Sequence, residues 1–140
     1  MINTNINQVR RAITHKIDDI DVGARAARDE MMTTFIQLAQ EEIKGQRGKV
    51  GSKWEKATPG EPPKNRTGNL RRSIRGEKSR EGFASYTAVV GPTIIYGRSV
   101  EVGGKYAPPT WRHNEKFPYM QPAFNKFKSL IGTIVRKHLG

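Results

Sequence analysis

Three histidines, an acidic cluster and a glycine-rich stretch are the residues of this chain whose types could support chemistry. A histidine near a carboxylate can transfer protons or bind a metal, and His113 lies two residues before Glu115. His15 and His138 have no second ligand-type residue at a metal-binding spacing. Because the three histidines fall in different predicted elements, the pattern favours incidental side chains over a nuclease-like pair or a metal site.

The acidic cluster consists of Asp18, Asp19 and Asp21. On a helix only Asp18 and Asp21 would share a side, which is typical of a solvated acidic face. The glycines of residues 45–51 lack the Gly-Lys-Ser/Thr ending of a phosphate loop, and no strand precedes them. The chain contains no cysteine, which excludes thiol catalysis and thiolate zinc sites. We therefore expect a protein that is not an enzyme and uses no cofactor or metal.

The strongest chemical signal is a run of ten basic residues within 32 positions. Its members are Lys49, Lys53, Lys56, Lys64, Arg66, Arg71, Arg72, Arg75, Lys78 and Arg80. Such a density can neutralise phosphates in salt-sensitive, sequence-independent binding, and Trp54 among the lysines could stack on a base. A solvated loop, or an arm that docks on an acidic protein, accounts for the same residues equally well.

Length and charge place further bounds on the protein. A chain of 140 residues with 35% hydrophobic residues is expected to form one domain with a modest core. The net charge of +12 is uneven, because residues 1–44 carry six basic and seven acidic residues whereas residues 45–80 carry eleven and three. This distribution indicates one surface that faces an anionic partner. No apolar run approaches a membrane span or a signal peptide, so we expect a soluble protein made in a cytoplasm.

A long N-terminal helix is predicted over residues 5–44. Apolar residues follow the helical period nearly throughout, at Ile6, Val9, Ile13, Ile17, Ile20, Ala24, Ala27, Met31, Phe35, Leu38 and Ile43. Gly23 costs about 1 kcal/mol inside a helix, so two helices broken near residues 21–23 are the alternative. A single helix of this length is too long for so small a domain to cover, and part of its apolar stripe would contact another subunit.

The remaining elements are shorter. Residues 45–66 form a basic loop rich in glycine, proline and lysine. Residues 67–120 form a β-rich part that starts with a turn capped by Thr67. Its hairpin joins residues 75–80 to 83–90 and turns near Glu81 and Gly82, and a short helix or strand follows at 94–102. Residues 121–139 form an amphipathic C-terminal helix. The order predicts a single α+β domain in which a small antiparallel sheet, built on the hairpin, lies between two helices.

Three motifs occur in order along the second half of the chain. The first runs from Pro62-Pro63 through Arg66-Thr67-Gly68-Asn69-Leu70-Arg71-Arg72-Ser73-Ile74, and the second from Val90-Gly91-Pro92 through Tyr96 to Glu101-Val102-Gly103. The third is Phe117-Pro118-Tyr119-Met120-Gln121-Pro122-Ala123-Phe124. In this order and spacing they resemble the head–tail joining family (neck, tail-completion or minor tail proteins) of long-tailed bacteriophages. The resemblance covers residues 62–139 well and 5–45 loosely. The loop 45–61 is longer than usual, and Tyr119 stands where phenylalanine is usual.

The resemblance implies a structural virion protein rather than a catalyst. Such proteins form a ring, commonly sixfold or twelvefold, between the head-closure protein and the tail terminator or tail tube, and DNA passes through the ring. The chain would be assembled in the host cytoplasm, without a membrane, into the neck of the virion. Basic residues that would face the DNA channel or a partner are Lys49, Lys53, Lys56, Lys64, Arg66, Arg71, Arg72 and Arg75. The loop 45–66 is expected to become ordered on assembly.

The motif residues also make physical sense as scaffold: Thr67, Gly68, Leu70, Ile74, Tyr96, Glu101, Gly103, Met120 and Pro122. Thr67 and Gly68 would set a tight turn that Leu70 and Ile74 anchor. Glu101 would bind either backbone amides or an arginine such as Arg71 or Arg72, while Met120 and Phe124 would close the core.

Two other functions compete with the neck assignment. A tail terminator ring protein has a similar small α+β build, and the sequence does not separate the two. A free-standing nucleic-acid-binding protein would suit the pI of 10.3, although the neutral first third and the ordered motifs fit it poorly.

Overall fold

Two long helices and a two-stranded antiparallel sheet carry the fold. The computed structural model describes residues 2–44 (side chains from residue 5), 58–65, 67–78, 85–103 and 115–140. The elements are α1 (Ile2–Glu42), α2 (Asn69–Ser73), β1 (Ile74–Lys78), β2 (Ala88–Pro92), α3 (Gly97–Val102) and α4 (Met120–Leu139). The predicted α+β class is confirmed, and the ambiguous segment 94–102 contains a short helix, α3.

Helix α1 is continuous through Gly23, so the alternative of two helices broken near residues 21–23 is wrong. A Cβ atom at Gly23 would lie 2.6 Å from the carbonyl oxygen of His138 and 2.8 Å from Cδ2 of Leu139. Glycine is therefore needed here because the end of α4 approaches the α1 backbone closely. The contact with α4 offsets the intrinsic cost of glycine in a helix.

Helices α1 and α4 pack antiparallel along the C-terminal half of α1. The ring of Phe35 stacks on Phe127 with centroids 5.3 Å apart, and it meets Phe124 edge-on at 6.1 Å. Around them Ala27, Phe127 and Ile134 form a buried cluster. This apolar seam follows from the helical spacing of both segments.

Ion pairs hold the same two helices together at both ends of the seam. Lys126 pairs with Glu42 near the end of α1, and Lys137 Nζ lies 3.0 Å from Glu30 Oε1. His138 also bonds the Glu30 carboxylate. Hydrogen bonds from His138 and then Lys137 lower the pKa of Glu30. These contacts fix the direction of α4 against α1.

The sheet confirms the predicted antiparallel hairpin, but its second strand is Ala88–Pro92 and not residues 83–90. Its register pairs Ile74 with Pro92 at one end and Lys78 with Ala88 at the other. The predicted turn residues, Glu81 and Gly82, lie outside the described residues. A Cβ at Gly76 would lie 2.5 Å from Cγ of Met32, so the sheet rests directly on α1.

The main core lies where α1, β1, α3 and the start of α4 meet. Its buried members are Ala39, Ile43, Ile74, Val100, Tyr119 and Ala123. The expectation that Phe124 closes this core is wrong, since Phe124 is 40% exposed, whereas Met120 does pack against the cluster. The phase of α4 turns Ala123 and Phe127 toward α1 and leaves Phe124 at the edge of the seam.

Candidate functional site

The start of α4 is held by a carboxylate from α3. Glu101 Oε2 accepts hydrogen bonds from the backbone amides of Tyr119, at 2.7 Å, and Met120, at 2.9 Å. Glu101 Oε1 accepts a third from the amide of Gln121 at 3.0 Å. The first amides of a helix lack partners within it and carry partial positive charge, so one carboxylate stabilises all three. Of the two partners expected for Glu101, the structure assigns the backbone amides and not Arg71 or Arg72.

Tyr119 lies at the centre of the contact between α3 and the start of α4, which we call the joint. Its side chain is fully buried. Its hydroxyl donates a hydrogen bond of 2.8 Å to the carbonyl of Gly97, which binds α3 to α4. Burial, and secondarily the charge of Glu101, raises the pKa of Tyr119, so the hydroxyl stays protonated. In the sequence, Tyr119 stands out only as a mild departure from the phenylalanine usual at its position in the third motif. The added hydroxyl was the signal available, because a buried hydroxyl requires an acceptor.

Gly97 permits the close approach of α3 to β2 and α4. A Cβ there would lie 2.5 Å from Cβ and 2.7 Å from Cγ of Pro92, and 3.2 Å from the Tyr119 hydroxyl oxygen. The proline ring is stiff and the tyrosine is buried, so neither can move away cheaply.

We expect Gly97→Ala to lower the free energy of unfolding by about 1–3 kcal/mol, measured by urea denaturation. The matched control is Gly91→Ala, since a Cβ at Gly91 meets nothing within 4 Å. Equal effects of the two substitutions would contradict the packing described for Gly97.

The turn before α2 differs in detail from the prediction. The residue that precedes α2 is Gly68, in a left-handed conformation with φ 81° and without a side-chain cap. The Thr67 hydroxyl oxygen instead accepts a bond of 3.3 Å from the amide of Asn69, one position earlier than a helix cap would lie. Thr67 as the cap of this turn is therefore corrected: glycine takes the cap position because the backbone there has positive φ.

The other predicted scaffold residues surround the same joint. Ile74 is buried, and Leu70, Tyr96 and Met120 pack against the core cluster. Gly103 ends α3 with φ 72°, and its amide donates to the Ser99 carbonyl at 2.7 Å. Pro122 lies half-buried in the first turn of α4. The motifs that are distant in sequence thus meet in one place and perform packing and capping.

The predicted basic residues are only partly within the described part of the chain. Arg71, Arg72 and Arg75 are exposed on α2 and β1. Arg72 and Arg75 help to line an open hollow of about 360 Å³. Lys64 is half-buried in a bridge to Lys44 at the end of α1. Lys49, Lys53, Lys56 and Arg66 lie outside the described residues.

The N-terminal half of α1, which we call the arm (residues 5–20), is exposed at every position. Its apolar residues, the arm stripe, are Ile6, Val9, Ile13, Ile17 and Ile20, with exposures of 46, 56, 55, 51 and 52%. Five β-branched residues on one helix face, each about half exposed, form a contiguous apolar patch of the kind that marks interaction sites. The expectation that this small domain cannot cover its long helix is confirmed.

The candidate catalytic groups are dispersed in the described residues. His15 is exposed, and its Nδ1 atom lies 3.7 Å from Oδ1 of Asp19. His138 is one of the residues that pair α4 with Glu30 of α1. His113 lies outside the described residues. Over the ranges that the structure describes, no group of three histidine, aspartate or glutamate side chains could hold a metal ion. Within the same ranges, no helix has the length and apolarity needed to cross a membrane.

No family model, curated protein or solved structure matches this chain.

Proposed function

We propose that this protein is a ring subunit of the neck of a long-tailed bacteriophage, which joins the head-closure ring to the tail and surrounds the DNA channel. The arm stripe is the observation that carries the proposal. An isolated domain gains nothing from a helix that extends beyond its core with half-exposed isoleucines, whereas a subunit gains an intersubunit contact.

The role of the three motifs as scaffold supports the same reading. Glu101, Tyr119 and Gly97 come from two of the motifs and bond to one another at the start of α4. The first motif supplies α2 and Ile74, which pack on the same core. Their bonds are structural, as expected of a protein whose function is to assemble.

The exposed arginines favour a second candidate, a small basic nucleic-acid-binding protein. Arg71, Arg72 and Arg75 lie within five positions on adjoining elements and could contact phosphates. In the neck, repetition around a ring would turn the same residues into a positive collar around DNA. The nearly neutral first third of the chain favours the neck over the free-standing binder. A tail terminator ring remains the alternative position within the virion.

The experiment that tests the proposal is negative-stain microscopy with mass determination on the purified protein, with and without the head-closure and tail proteins. We expect a closed ring, sixfold or twelvefold, once those partners are present. A protein that binds duplex DNA at physiological salt but never joins a particle would overturn the proposal and favour the free-standing binder.

The arginine pair Arg72 and Arg75 gives a separate prediction about DNA. We expect Arg72→Ala/Arg75→Ala to weaken duplex binding and to reduce the slope of log affinity against log salt by about 1–2, as loss of phosphate contacts requires. Fluorescence anisotropy across a salt series measures the slope. The control is Arg136→Ala on α4, which removes a basic residue from an exposed position elsewhere. An unchanged slope would show that the pair does not contact phosphates.

A further inference from the structure

The arm stripe has the same spacing in both directions along the helix. Its five residues are separated by 3, 4, 4 and 3 positions, so the pattern is symmetric about Ile13. We propose that two copies of the protein pair through their arms, antiparallel and centred on Ile13. In that register Ile6 faces Ile20 of the second copy, Val9 faces its Ile17, and Ile13 faces its equivalent. Every apolar residue of the stripe then meets another.

The contact continues one that the chain already makes with itself. Helix α4 runs antiparallel to α1 and covers the same apolar face, at Phe35 and Ala27, before it ends over Gly23. In the pair, Asn5 of the second copy would face Asp21, and residues 2–4 of its helix would face residues 22–24 and therefore pass beside the end of α4. The arm of the second copy therefore covers the apolar face of α1 from the point where α4 ends, and it runs in the same direction as α4. A single antiparallel seam would cover α1 from its core to the arm.

The same geometry disfavours a parallel pair. Parallel arms in register would bring the two copies of α1 together beyond residue 23, where α4 already occupies the apolar face in each copy. Both α4 helices would then need the same space. The antiparallel arrangement places the two cores at opposite ends of the paired arms.

Charge also favours a second copy over other occupants of the stripe. Residues 5–21, the arm and the residue after it, carry Arg10, Arg11 and Lys16 against Asp18, Asp19 and Asp21, which leaves this stretch neutral. A neutral surface gives no attraction to DNA or to an anionic membrane.

Two ion pairs between the copies would reinforce the register. Arg10 and Asp21 each follow a stripe residue by one position and therefore flank the stripe on the same side. In the antiparallel pair Asp21 of the second copy faces Asn5, so Arg10 lies about 7.5 Å from it along the helix axis, within reach of the long arginine side chain, twice by symmetry. Asp21 also lies 3.2 Å from Arg25 of its own chain, so the approaching arginine would extend an existing pair.

The area is sufficient for a specific contact. Five side chains that are about half exposed leave on the order of 100 Å² each, so pairing buries on the order of 1,000 Å² over both copies, near the lower bound for specific interfaces. The pair closes at two copies and does not depend on the virion role. A ring would form by exchanging this contact for a heterologous one.

Single cysteines test the pairing cleanly because the chain contains none of its own. In a glutathione redox buffer, Ile13→Cys should form a disulfide-linked dimer. Val9→Cys mixed with a size-tagged Ile17→Cys should give at least fivefold more mixed dimer than the dimer that Val9→Cys forms alone. Val9→Cys crosslinking alone as fully as Ile13→Cys would indicate parallel arms and overturn the proposal.

Sedimentation equilibrium provides a second readout without any disulfide. The wild-type protein should be a dimer, and Ile13→Asp should be a monomer with unchanged helix content by circular dichroism. Gln8→Asp is the matched control, because it adds the same charge on the far side of the arm and should leave the dimer intact. A wild-type monomer at all accessible concentrations, or an Ile13→Asp dimer, would overturn the pairing even if the neck proposal stands.

Discussion

Replacement of Tyr119 with alanine is expected to lower the free energy of unfolding by about 3–5 kcal/mol, the range for removing a large buried aromatic side chain. The ring is fully buried at the meeting point of α1, α3 and α4, and its loss would leave a cavity that the stiff backbone around Gly97 cannot fill. Urea unfolding followed by circular dichroism measures the change through the midpoint and slope. A loss below about 1 kcal/mol would show that the site collapses or that Tyr119 does not lie in the core.

The hydroxyl of Tyr119 can be tested separately from the ring. Tyr119→Phe keeps the volume but leaves the Gly97 carbonyl without its donor, which should cost about 1–2 kcal/mol. Tyr96→Phe is the control, since the Tyr96 hydroxyl makes no hydrogen bond within the described residues and its loss should be nearly neutral. A Tyr119→Phe protein as stable as wild type would remove the hydrogen bond from this account.

The raised pKa of Tyr119 adds a pH dependence with a definite sign. The unfolded tyrosine ionises near pH 10, whereas the folded one stays protonated to higher pH, so the native state binds more protons above about pH 10. The Tyr119 contribution to stability is present below that pH and is lost as the pH rises further. The difference in stability between wild type and Tyr119→Phe should therefore shrink above about pH 10. A constant difference across this range would contradict the buried, neutral hydroxyl.

Replacement of Glu101 with alanine is expected to cost about 2–4 kcal/mol, because three amides at the start of α4 lose a charged acceptor together. Glu101→Gln keeps one acceptor oxygen and loses the charge, so it should lie between alanine and wild type. The same urea titrations measure both variants.

Glu77 on β1 supplies the control for Glu101. Its side chain is exposed, and Glu77→Ala should change stability by no more than about 0.5 kcal/mol. If Glu101→Ala matched Glu77→Ala, the carboxylate would not be holding α4, and the joint between the second and third motifs would need another explanation.

The sequence predicted the elements that depend on local pattern and failed where distant contacts decide. The period of apolar residues is enough to place α1 and α4, whereas the β-branched run indicates the hairpin but puts its second strand too early in the chain. The local pattern does not decide whether α1 continues through Gly23, because the reason for that glycine is the end of α4, far along the chain. Local propensity cannot report such a contact.

The joint at the start of α4 was predictable in its residues but not in its arrangement. Glu101 was identified with two possible partners, and only the folded positions of α3 and α4 select the amides. Phe124 was placed in the core and Tyr119 was not, because a boundary residue of a helix has no periodic signal of its own. The neck assignment rests on the arm stripe together with the order of the motifs, and it stays a proposal.

The central claim, that this protein joins heads to tails, is tested most directly by reconstitution. DNA-filled heads and tails from an infection that lacks this protein would be mixed with the purified chain, and joined particles counted by electron microscopy. We predict that wild-type protein restores joined, infectious particles and is found between head and tail by antibody labelling. Efficient joining without the protein, or particles joined without incorporating it, would contradict the account.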